Sequence, residues 1–366
     1  MTGRIVLFGA TGYTGGLVLD ALLRRGIAPM LAGRNRDALA ALAARHGDLE
    51  YAIADVADAD SCTNLVQRGD VLISTVGPFE RFGHPVARAA AEAGAHYIDS
   101  TGEVGFVLEL RKRLHERARE TGSVMLPAFG YDYVPGILAA TMAALQGGAA
   151  VRSIDVGYFA TGPLWRGLSQ GTRTTMRDGL TLPAPRWRDR QLTQERTASK
   201  IHSFAVRGRR RNAFLVSGTE VMVLPAMFPN LDNVTVYNGW FPSLARPTAA
   251  ISAFATAANR IPLGRNLVDL ITRPMVGPPG GPDTAERART RSYVVATASS
   301  DAGPLSEVHV EGPSAYSLTG ELMAWAAQQL STTAPHAPGV VGPVEAFGFD
   351  TLREGCAEIG LSPTSA

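Results

Sequence analysis

The chain has 366 residues, 19% of them charged and 45% hydrophobic, and a formal net charge of +2; this argues against long disorder and against nucleic acid as the main partner. The length suffices for two domains with substantial cores, and a first strand close to Met1 leaves no room for a signal peptide. The only cysteines are Cys62 and Cys356, so we expect no disulfide framework, no metal site, and a reducing cytoplasm as the compartment.

The first predicted element is a buried strand over Ile5–Phe8, which runs into the glycine-rich turn Gly9–Gly16 and then into a helix that reaches about Arg25. Such glycines permit a sharp exit from the strand, a close approach of backbone to a pyrophosphate, and tight packing of helix on strand. The N–H groups at the helix start then face the phosphates. The turn therefore predicts a dinucleotide site, and a ligand-free turn is the alternative. The predicted cofactor contacts here are Gly9, Thr11, Gly12, Tyr13, Thr14 and Gly15.

The end of the second strand indicates which dinucleotide binds. This strand covers about Ala28–Ala32 and closes in Gly33, Arg34 and Asn35. An NAD site usually has Asp or Glu at this point, whereas this sequence has an arginine. Because a guanidinium group suits a ribose 2′-phosphate, we predict NADPH as the cofactor, with these three residues in its site. The alternative is a solvated arginine at a helix start.

Strands and helices continue to alternate as far as about Leu145. Further strands are predicted at 50–53, 71–76, 96–99 and 124–127, with helices at 34–46, 61–68, 85–93 and 104–119. This rhythm predicts an α/β fold whose N-terminal Rossmann domain, a doubly wound parallel sheet, covers residues 1–148.

In such a sheet, ligands bind in the loops at the carboxyl ends of the strands. Asp55 follows the third strand and is predicted to accept from the adenine amino group or, alternatively, to cap the next helix. The loops after the fifth and sixth strands, 97–103 and 127–136, are predicted to form the reacting end. The loop after the fourth strand, where the cofactor passes toward its nicotinamide, supplies Ser74, Thr75, Val76, Gly77 and Pro78.

The reaction needs a proton donor as well as a hydride. No tyrosine has a lysine four residues on, which excludes the arrangement of a short-chain dehydrogenase, and the chain has only two lysines. We therefore predict Tyr131 and Asp132 as catalytic residues, and the alternative is a turn whose side chains bond their own backbone. The predicted substrate contacts are Phe79, Tyr97, Asp99, Gly130, Thr172 and Tyr316.

A second, α+β domain with a mixed or antiparallel sheet is predicted over residues 149–315. Its clearest elements are a strand at 153–158, a polar helix at 169–179 and a strand pair at 292–298 and 307–311. Residues 316–366 are predicted to hold helices at 318–330 and 348–359, a loop at 335–342 and a loose tail.

One stretch of the second domain is strongly basic. Between residues 186 and 211 there are nine cationic side chains and two acidic ones. A solvated arginine-rich surface is one interpretation; the other is a docking site for an acidic carrier protein, a phosphopantetheine or a coenzyme A tail.

Several short motifs together resemble the saccharopine dehydrogenase-like oxidoreductases, and within them the actinobacterial trans-acting enoyl reductases. The resemblance implies an NADP-dependent reductase with an N-terminal Rossmann domain, a mixed second domain and a last third that packs back on the first. The arginine pattern that clamps an amino acid in a saccharopine-forming enzyme is not found. The motifs are Gly9–Gly16, Ala32–Arg34, Ser74–Phe79, Tyr97–Glu103, Gly130–Pro135, Gln170–Thr172 and Gly312–Gly320.

These observations predict an NADPH-dependent reductase that transfers a hydride to the conjugated C=C bond of an acyl, polyketide-derived or lipid substrate, free or carrier-bound. Two alternatives stay open: reduction of an imine or ketone, and a non-catalytic NADPH-binding subunit. A homodimer is an open possibility for the assembly.

Overall fold

The computed structural model describes residues 3–162, 168–179, 182–258, 280–333 and 337–365. The predicted alternation of strands and helices is present in the N-terminal part. Its elements are β1 (Ile5–Phe8), α1 (Tyr13–Arg24), β2 (Met30–Gly33), α2 (Arg36–Arg45), β3 (Tyr51–Ile53), α3 (Ala59–Thr63), β4 (Val71–Ser74), α4 (Phe79–Phe82), α5 (His84–Ala93), β5 (His96–Asp99), α6 (Val104–Thr121) and β6 (Val124–Leu126).

The middle of the chain is rich in strands. Its described elements are α7 (Val134–Gly147), β7 (Ser153–Thr161), α8 (Gln170–Gly179), β8 (Pro183–Arg188), β9 (Gln191–Arg196), β10 (Ile201–Val206), β11 (Arg209–Val216), α9 (Glu220–Met227), β12 (Asn233–Asn238), α10 (Ala245–Ala258), α11 (Thr284–Ala288), β13 (Arg291–Ser300) and β14 (Gly303–Gly312).

The C-terminal part is mostly helical. It comprises α12 (Ala315–Thr332), β15 (Gly339–Val340), α13 (Pro343–Phe347), α14 (Phe349–Glu358) and β16 (Ser362–Thr364). Two predictions were wrong here. The predicted loop at 335–342 contains β15, which pairs with β6, and the predicted loose tail contains β16, which pairs with β14. Both strands are too short to give a period in the sequence.

The first sheet has the order β15-β6-β5-β4-β1-β2-β3, and its pairs are parallel. Chain order reverses between β1 and β4, which is the switch point where a doubly wound sheet opens a crevice for ligands. All four residues of β1 are buried, as are those of β4. Uninterrupted apolar runs of this kind belong in central strands covered on both faces. The predicted Rossmann fold class is confirmed.

The second sheet is mixed and has the order β10-β11-β12-β7-β13-β14-β16, with the hairpin β8–β9 attached to β12. Its pair β7–β12 is parallel, whereas β7–β13, β13–β14, β10–β11 and β11–β12 are antiparallel. The basic stretch of the sequence forms the four strands β8 to β11. An α+β second domain is therefore confirmed.

The chain divides into two compact units, residues 1–134 with 316–359, and residues 135–315 with 360–366. The first boundary lies at 134, where the sequence predicts 148, so that α7 belongs to the second unit. Within the first unit, α12 packs closely on α1: a Cβ on Gly320 would lie 3.0 Å from the Leu17 carbonyl. Arg25 at the end of α1 forms ion pairs with Glu321 and Glu358.

Candidate functional site

The glycine turn after β1 has the geometry of an anion-binding site at a helix start. Gly9 has φ +88°, a left-handed conformation that favours glycine, and its carbonyl accepts from the Gly12 N–H at 2.9 Å. Gly12 caps α1 in an extended conformation without a side-chain hydrogen bond, and the first turn of the helix has no acidic residue. Thr11 and Gly12 are exposed, and Tyr13 and Thr14 are half-buried. The helix therefore presents N–H donors and its positive dipole end to a phosphate.

Two glycines of this turn are required by close packing. A Cβ on Gly15 would lie 2.2 Å from the Gly9 carbonyl oxygen, so α1 approaches the end of β1 more closely than any side chain allows. A Cβ on Gly9 would lie 2.6 Å from Thr75 Oγ1 and 2.9 Å from Val76 Cγ2. The Thr75 hydroxyl lies 3.1 Å from the Gly9 carbonyl and donates to it. The end of β4 thus fixes the shape of the turn.

The end of β2 carries the predicted arginine. Gly33 is buried, whereas Arg34 and Asn35 are exposed. The Asn35 side chain caps α2 by accepting from the Ala38 N–H at 3.0 Å, so its first task is local. Arg34 makes no hydrogen bond or ion pair with any other described residue, and no carboxylate follows before Asp37 in the first turn of α2.

Asp55 follows β3 and is half-buried. Its carboxylate accepts from the Ala57 N–H at 3.0 Å, which closes a short turn. The next helix is capped by Asp58 and not by Asp55, since the Asp58 carboxylate accepts from the N–H groups of Asp60 and Ser61.

The predicted substrate contacts Tyr97 and Asp99 are fully buried, as is Ser74 beside them. Asp99 Oδ1 accepts from the N–H groups of Thr101 and Ala128, and the Tyr97 hydroxyl interacts with the side chains of Asp99 and Ser74. Burial raises the pKa of Asp99 to about 7, and burial likewise raises the pKa of Tyr97. These buried polar side chains lie beneath the loops that follow β4, β5 and β6.

The loop after β4 turns directly into α4. Gly77 is exposed, Pro78 is half-buried, and Phe79 is buried with its ring 5.8 Å from that of Phe106. The Glu103 carboxylate accepts from the N–H groups of Phe79 and Glu80, each at 2.9 Å. Sequence reasoning did not single out Glu103. The signal available was a glutamate directly before a long helix, where a short side chain is the usual cap.

The loop after β6 carries the predicted catalytic pair. Tyr131 is 3% exposed, and Asp132 is half-buried. Asp132 makes no hydrogen bond with another described residue, and burial raises its pKa to about 6. An isolated carboxyl of this kind can hold a proton near neutral pH. The alternative interpretation, in which the Asp132 side chain bonds its own backbone, is not what the structure contains.

The start of α12 holds this loop from a distant part of the sequence. The Tyr131 N–H donates to Thr319 Oγ1 at 3.1 Å, and a Cβ on Gly130 would lie 2.9 Å from Thr319 Cγ2. Tyr316, one turn earlier in α12, packs edge-on against Tyr13, with ring centroids 5.5 Å apart. The structure therefore brings Tyr316 to the cofactor turn. Sequence reasoning missed Thr319, although it lies in one of the motifs that carry the family resemblance.

Two sequence predictions concern the second unit, residues 135–315 with 360–366. At the start of α8 the Thr172 N–H donates to Ser169 Oγ at 3.1 Å, so that Ser169 supplies a local cap. In the basic stretch, Arg186 and Lys200 both pair with Glu195, and Arg207 pairs with Glu311. Arg209 and Arg210 are exposed and have no ion pair with any residue that the structure describes.

Two kinds of feature are absent from residues 3–162, 168–179, 182–258, 280–333 and 337–365. No group of three His, Cys, Asp or Glu side chains is arranged to hold a metal ion in those ranges. In the same residues, no helix combines the length and the apolar character needed to cross a membrane.

The parallel sheet, its switch point and the glycine turn define a dinucleotide-binding protein. Residues 5–126 match the family model described as the saccharopine dehydrogenase NADP binding domain. This segment of the chain is thus similar to the NADP-binding domain of saccharopine dehydrogenase, and NADP is the cofactor of that domain. The family resemblance and the cofactor predicted from the sequence are both confirmed.

The chain is also similar to individual proteins. A trans-acting enoyl reductase of Mycobacterium ulcerans is 35% identical over 141 residues, which cover 37% of this chain and 34% of the relative. A lipid droplet localized protein of Caenorhabditis elegans is 28% identical over 190 residues, which cover 48% of this chain and 45% of the relative. The matched segments thus span less than half of either relative.

A solved structure matches over nearly the whole length. It is the apo saccharopine dehydrogenase (L-Glu forming) of Saccharomyces cerevisiae, with a TM-score of 0.62, 14% identity and 99% of each chain covered. This similarity establishes the fold.

Proposed function

We propose that this chain is an NADPH-dependent reductase that reduces the conjugated C=C bond of an acyl, polyketide-derived or lipid substrate. The confirmed NADP-binding domain supports the cofactor, and the relatives named trans-acting enoyl reductase support the reaction class. The observation that carries the proposal is the isolated carboxyl of Asp132, which the loop after β6 keeps half-buried in the same unit as the NADP-binding turn.

The residues around the glycine turn fit NADPH. The uncapped start of α1 offers N–H donors to the diphosphate, and exposed Gly12 leaves room for it. Arg34 has no competing partner among the described residues, and its planar guanidinium suits the 2′-phosphate. The Asp55 carboxylate is placed to accept a hydrogen bond from the adenine amino group. Thr75, Val76, Gly77 and Pro78 lie along the path of the cofactor toward its nicotinamide end. When bound, NADPH supplies the hydride.

Reduction of an enoyl group adds a hydride at the β-carbon and a proton at the α-carbon, and it leaves a saturated acyl group and NADP⁺. Asp132 supplies the proton, because its raised pKa keeps a useful fraction of the carboxyl protonated near neutral pH. Tyr131 donates a hydrogen bond to the substrate carbonyl, which makes the β-carbon a better hydride acceptor. Tyr97, Asp99 and Ser74 are fully buried next to the loop that carries Tyr131 and Asp132, and they help to hold that loop in place.

The proposal is tested by the consumption of NADPH with three substrate classes: an enoyl thioester on pantetheine, a simple ketone and a preformed imine. The expected result is stoichiometric oxidation with the enoyl thioester alone. Oxidation with the imine or ketone alone would replace the proposed reaction by saccharopine-type chemistry. Tight NADPH binding without oxidation by any of the three would indicate a non-catalytic subunit.

The proposed partners are the small acyl substrate and, for a carrier-bound substrate, an acidic carrier protein that docks on Arg209 and Arg210. Both cysteines are free and buried, and we propose the cytoplasm as the compartment.

A further inference from the structure

Glu103 occupies a position that local rules do not explain. It is the N-cap residue of α6, an 18-residue helix, yet its side chain makes no capping hydrogen bond to that helix. Ser, Thr, Asp and Asn are the residues that cap well, because their short side chains reach the first-turn N–H groups. With a glutamate at this position, α6 lacks the stabilisation that an N-cap side chain gives. Such a departure from local preference is expected where a tertiary or functional contact takes precedence.

The contact that Glu103 makes instead is with the loop after β4. Its two carboxylate oxygens accept separately from the N–H groups of Phe79 and Glu80, each at 2.9 Å, across 24 and 23 positions of sequence. These N–H groups open α4, whose own N-cap, Pro78, provides no side-chain acceptor. A carboxylate at a helix start is favoured because it pairs with N–H donors that have no partner within the helix.

Glu103 is itself held in place. Its N–H donates to Thr101 Oγ1 at 3.0 Å, and the Thr101 N–H donates to Asp99 Oδ1 at 2.8 Å. Asp99 Oδ1 also accepts from the Ala128 N–H at 2.9 Å. A chain of hydrogen bonds therefore joins the loops after β4, β5 and β6 at the carboxyl edge of the sheet.

The loop that Glu103 holds has little freedom of its own. A Cβ on Gly77 would lie 3.3 Å from the Phe79 ring, and that ring is buried against Phe106 in the first turn of α6. The start of α6 thus holds Phe79 twice, through the Glu103 carboxylate at its N–H and through the Phe106 ring at its side chain.

We propose that Glu103 is a positioning residue for the NADPH site. Its carboxylate holds the first turn of α4 and thereby fixes the position of Gly77 and Pro78, which directly precede that turn, along the path of the cofactor. This inference rests on the proposed cofactor contacts of that loop. It requires a carboxylate, since a glutamine would turn an NH₂ group toward one of the two N–H donors, and an aspartate is one methylene shorter.

The test compares three variants: Glu103→Gln, Glu103→Asp and the control Glu92→Gln, which removes the same charge from an exposed position of α5. We measure the Kd of NADPH by calorimetry, amide hydrogen exchange at residues 79 and 80, and the separate values of kcat and KM for NADPH. E103Q is expected to raise Kd and KM for NADPH about tenfold, the effect of losing one charge-assisted hydrogen bond. It is also expected to speed exchange at Phe79 and Glu80, and to change kcat less than threefold.

The other two variants sharpen the outcome. E103D is expected to recover part of the affinity, and E92Q to match the wild type in every measurement. A Kd for E103Q within twofold of the wild type would overturn the proposal, and so would a loss of thermal stability with unchanged exchange at residues 79 and 80. If E103Q does not fold, E103D decides by the same criteria. Because Kd and exchange need no turnover, they test Glu103 even if the wild type reduces none of the substrates offered.

Discussion

The loop after β1 and the loop after β6 belong to the same sheet edge but are built in different ways. The loop after β1 is shaped mainly by neighbours in sequence, since Gly12 bonds to Gly9 and Gly15 packs on it, and a single contact from a distant segment, the Thr75 hydroxyl at the end of β4, supports it. The loop after β6 is shaped by distant groups, with Asp99 bonding to Ala128 and Thr319 bonding to Tyr131 across 188 positions. The first loop is a local device for binding phosphate, whereas the second depends on the completed fold.

This difference suggests a division of labour. A turn formed by neighbouring residues is sufficient to bind the diphosphate of the cofactor, which does not react. A loop held by residues of both β5 and α12 can place Asp132 and Tyr131 with the accuracy that proton transfer needs. Perturbing each loop separately should therefore affect binding in one case and chemistry in the other.

The largest effect is expected from Asp132→Asn. An amide cannot supply the proton, so kcat with an enoyl thioester should fall by roughly 10²- to 10⁴-fold, while the Kd of NADPH stays within twofold. In the wild type the acid form of Asp132 is the active one, so kcat should fall as the pH rises above about 6. Stopped-flow measurement of NADPH oxidation between pH 5 and 8 checks both statements. Survival of the same pH dependence in D132N would assign it to another group, with Asp99 the first to examine.

The next effect is expected from Gly15→Ala. The new Cβ would meet the Gly9 carbonyl at 2.2 Å, so α1 must move away from β1 at a cost of about 1–3 kcal/mol in the free energy of unfolding. NADPH binding should be lost with it. Gly16→Ala is the matched control, because a Cβ there meets nothing within 4 Å and a helix gains about 0.5–1 kcal/mol from alanine. Equal denaturation midpoints for G15A and G16A would contradict the packing argument.

The variant Arg34→Ala distinguishes recognition of the ribose 2′-phosphate from binding of the diphosphate. Loss of a charge-assisted contact worth about 1.5–3 kcal/mol should weaken NADPH binding by roughly 10- to 150-fold and leave NADH binding unchanged. Calorimetry with both cofactors measures this, and Arg36→Ala, a neighbouring exposed arginine, is the control. An equal loss for the two cofactors would show that Arg34 does not recognise the 2′-phosphate.

The smallest effect concerns the second unit, where most cations of the basic stretch are already paired. The double variant Arg209→Ala, Arg210→Ala should raise the KM of a carrier-bound substrate about threefold at low salt and leave that of a free thioester unchanged. An unchanged KM for the carrier-bound substrate would show that Arg209 and Arg210 belong to a solvated surface with no role in docking.

The same contrast explains what the sequence could predict. The glycine turn, β1 and the exposed Arg34 follow from local pattern, because each depends on residues within a few positions. The roles of Glu103 and Thr319 do not, since nothing near either residue indicates the N–H groups that it binds. Strands β15 and β16 were missed for a similar reason: each has only two or three residues and exists because a partner strand offers an edge. Asp132 is predicted from its loop and from the lack of a suitable lysine, but its isolation and raised pKa depend on burial by the whole unit.

The proposed reaction adds a hydride and a proton across a conjugated C=C bond. It is tested most directly by single turnover with NADPH that carries deuterium at the transferred position, an enoyl thioester as substrate and mass spectrometry of the saturated product. One deuterium is expected at the β-carbon and one solvent-derived hydrogen at the α-carbon. Deuterium on a former carbonyl or imine carbon, or its complete retention in the cofactor, would contradict it.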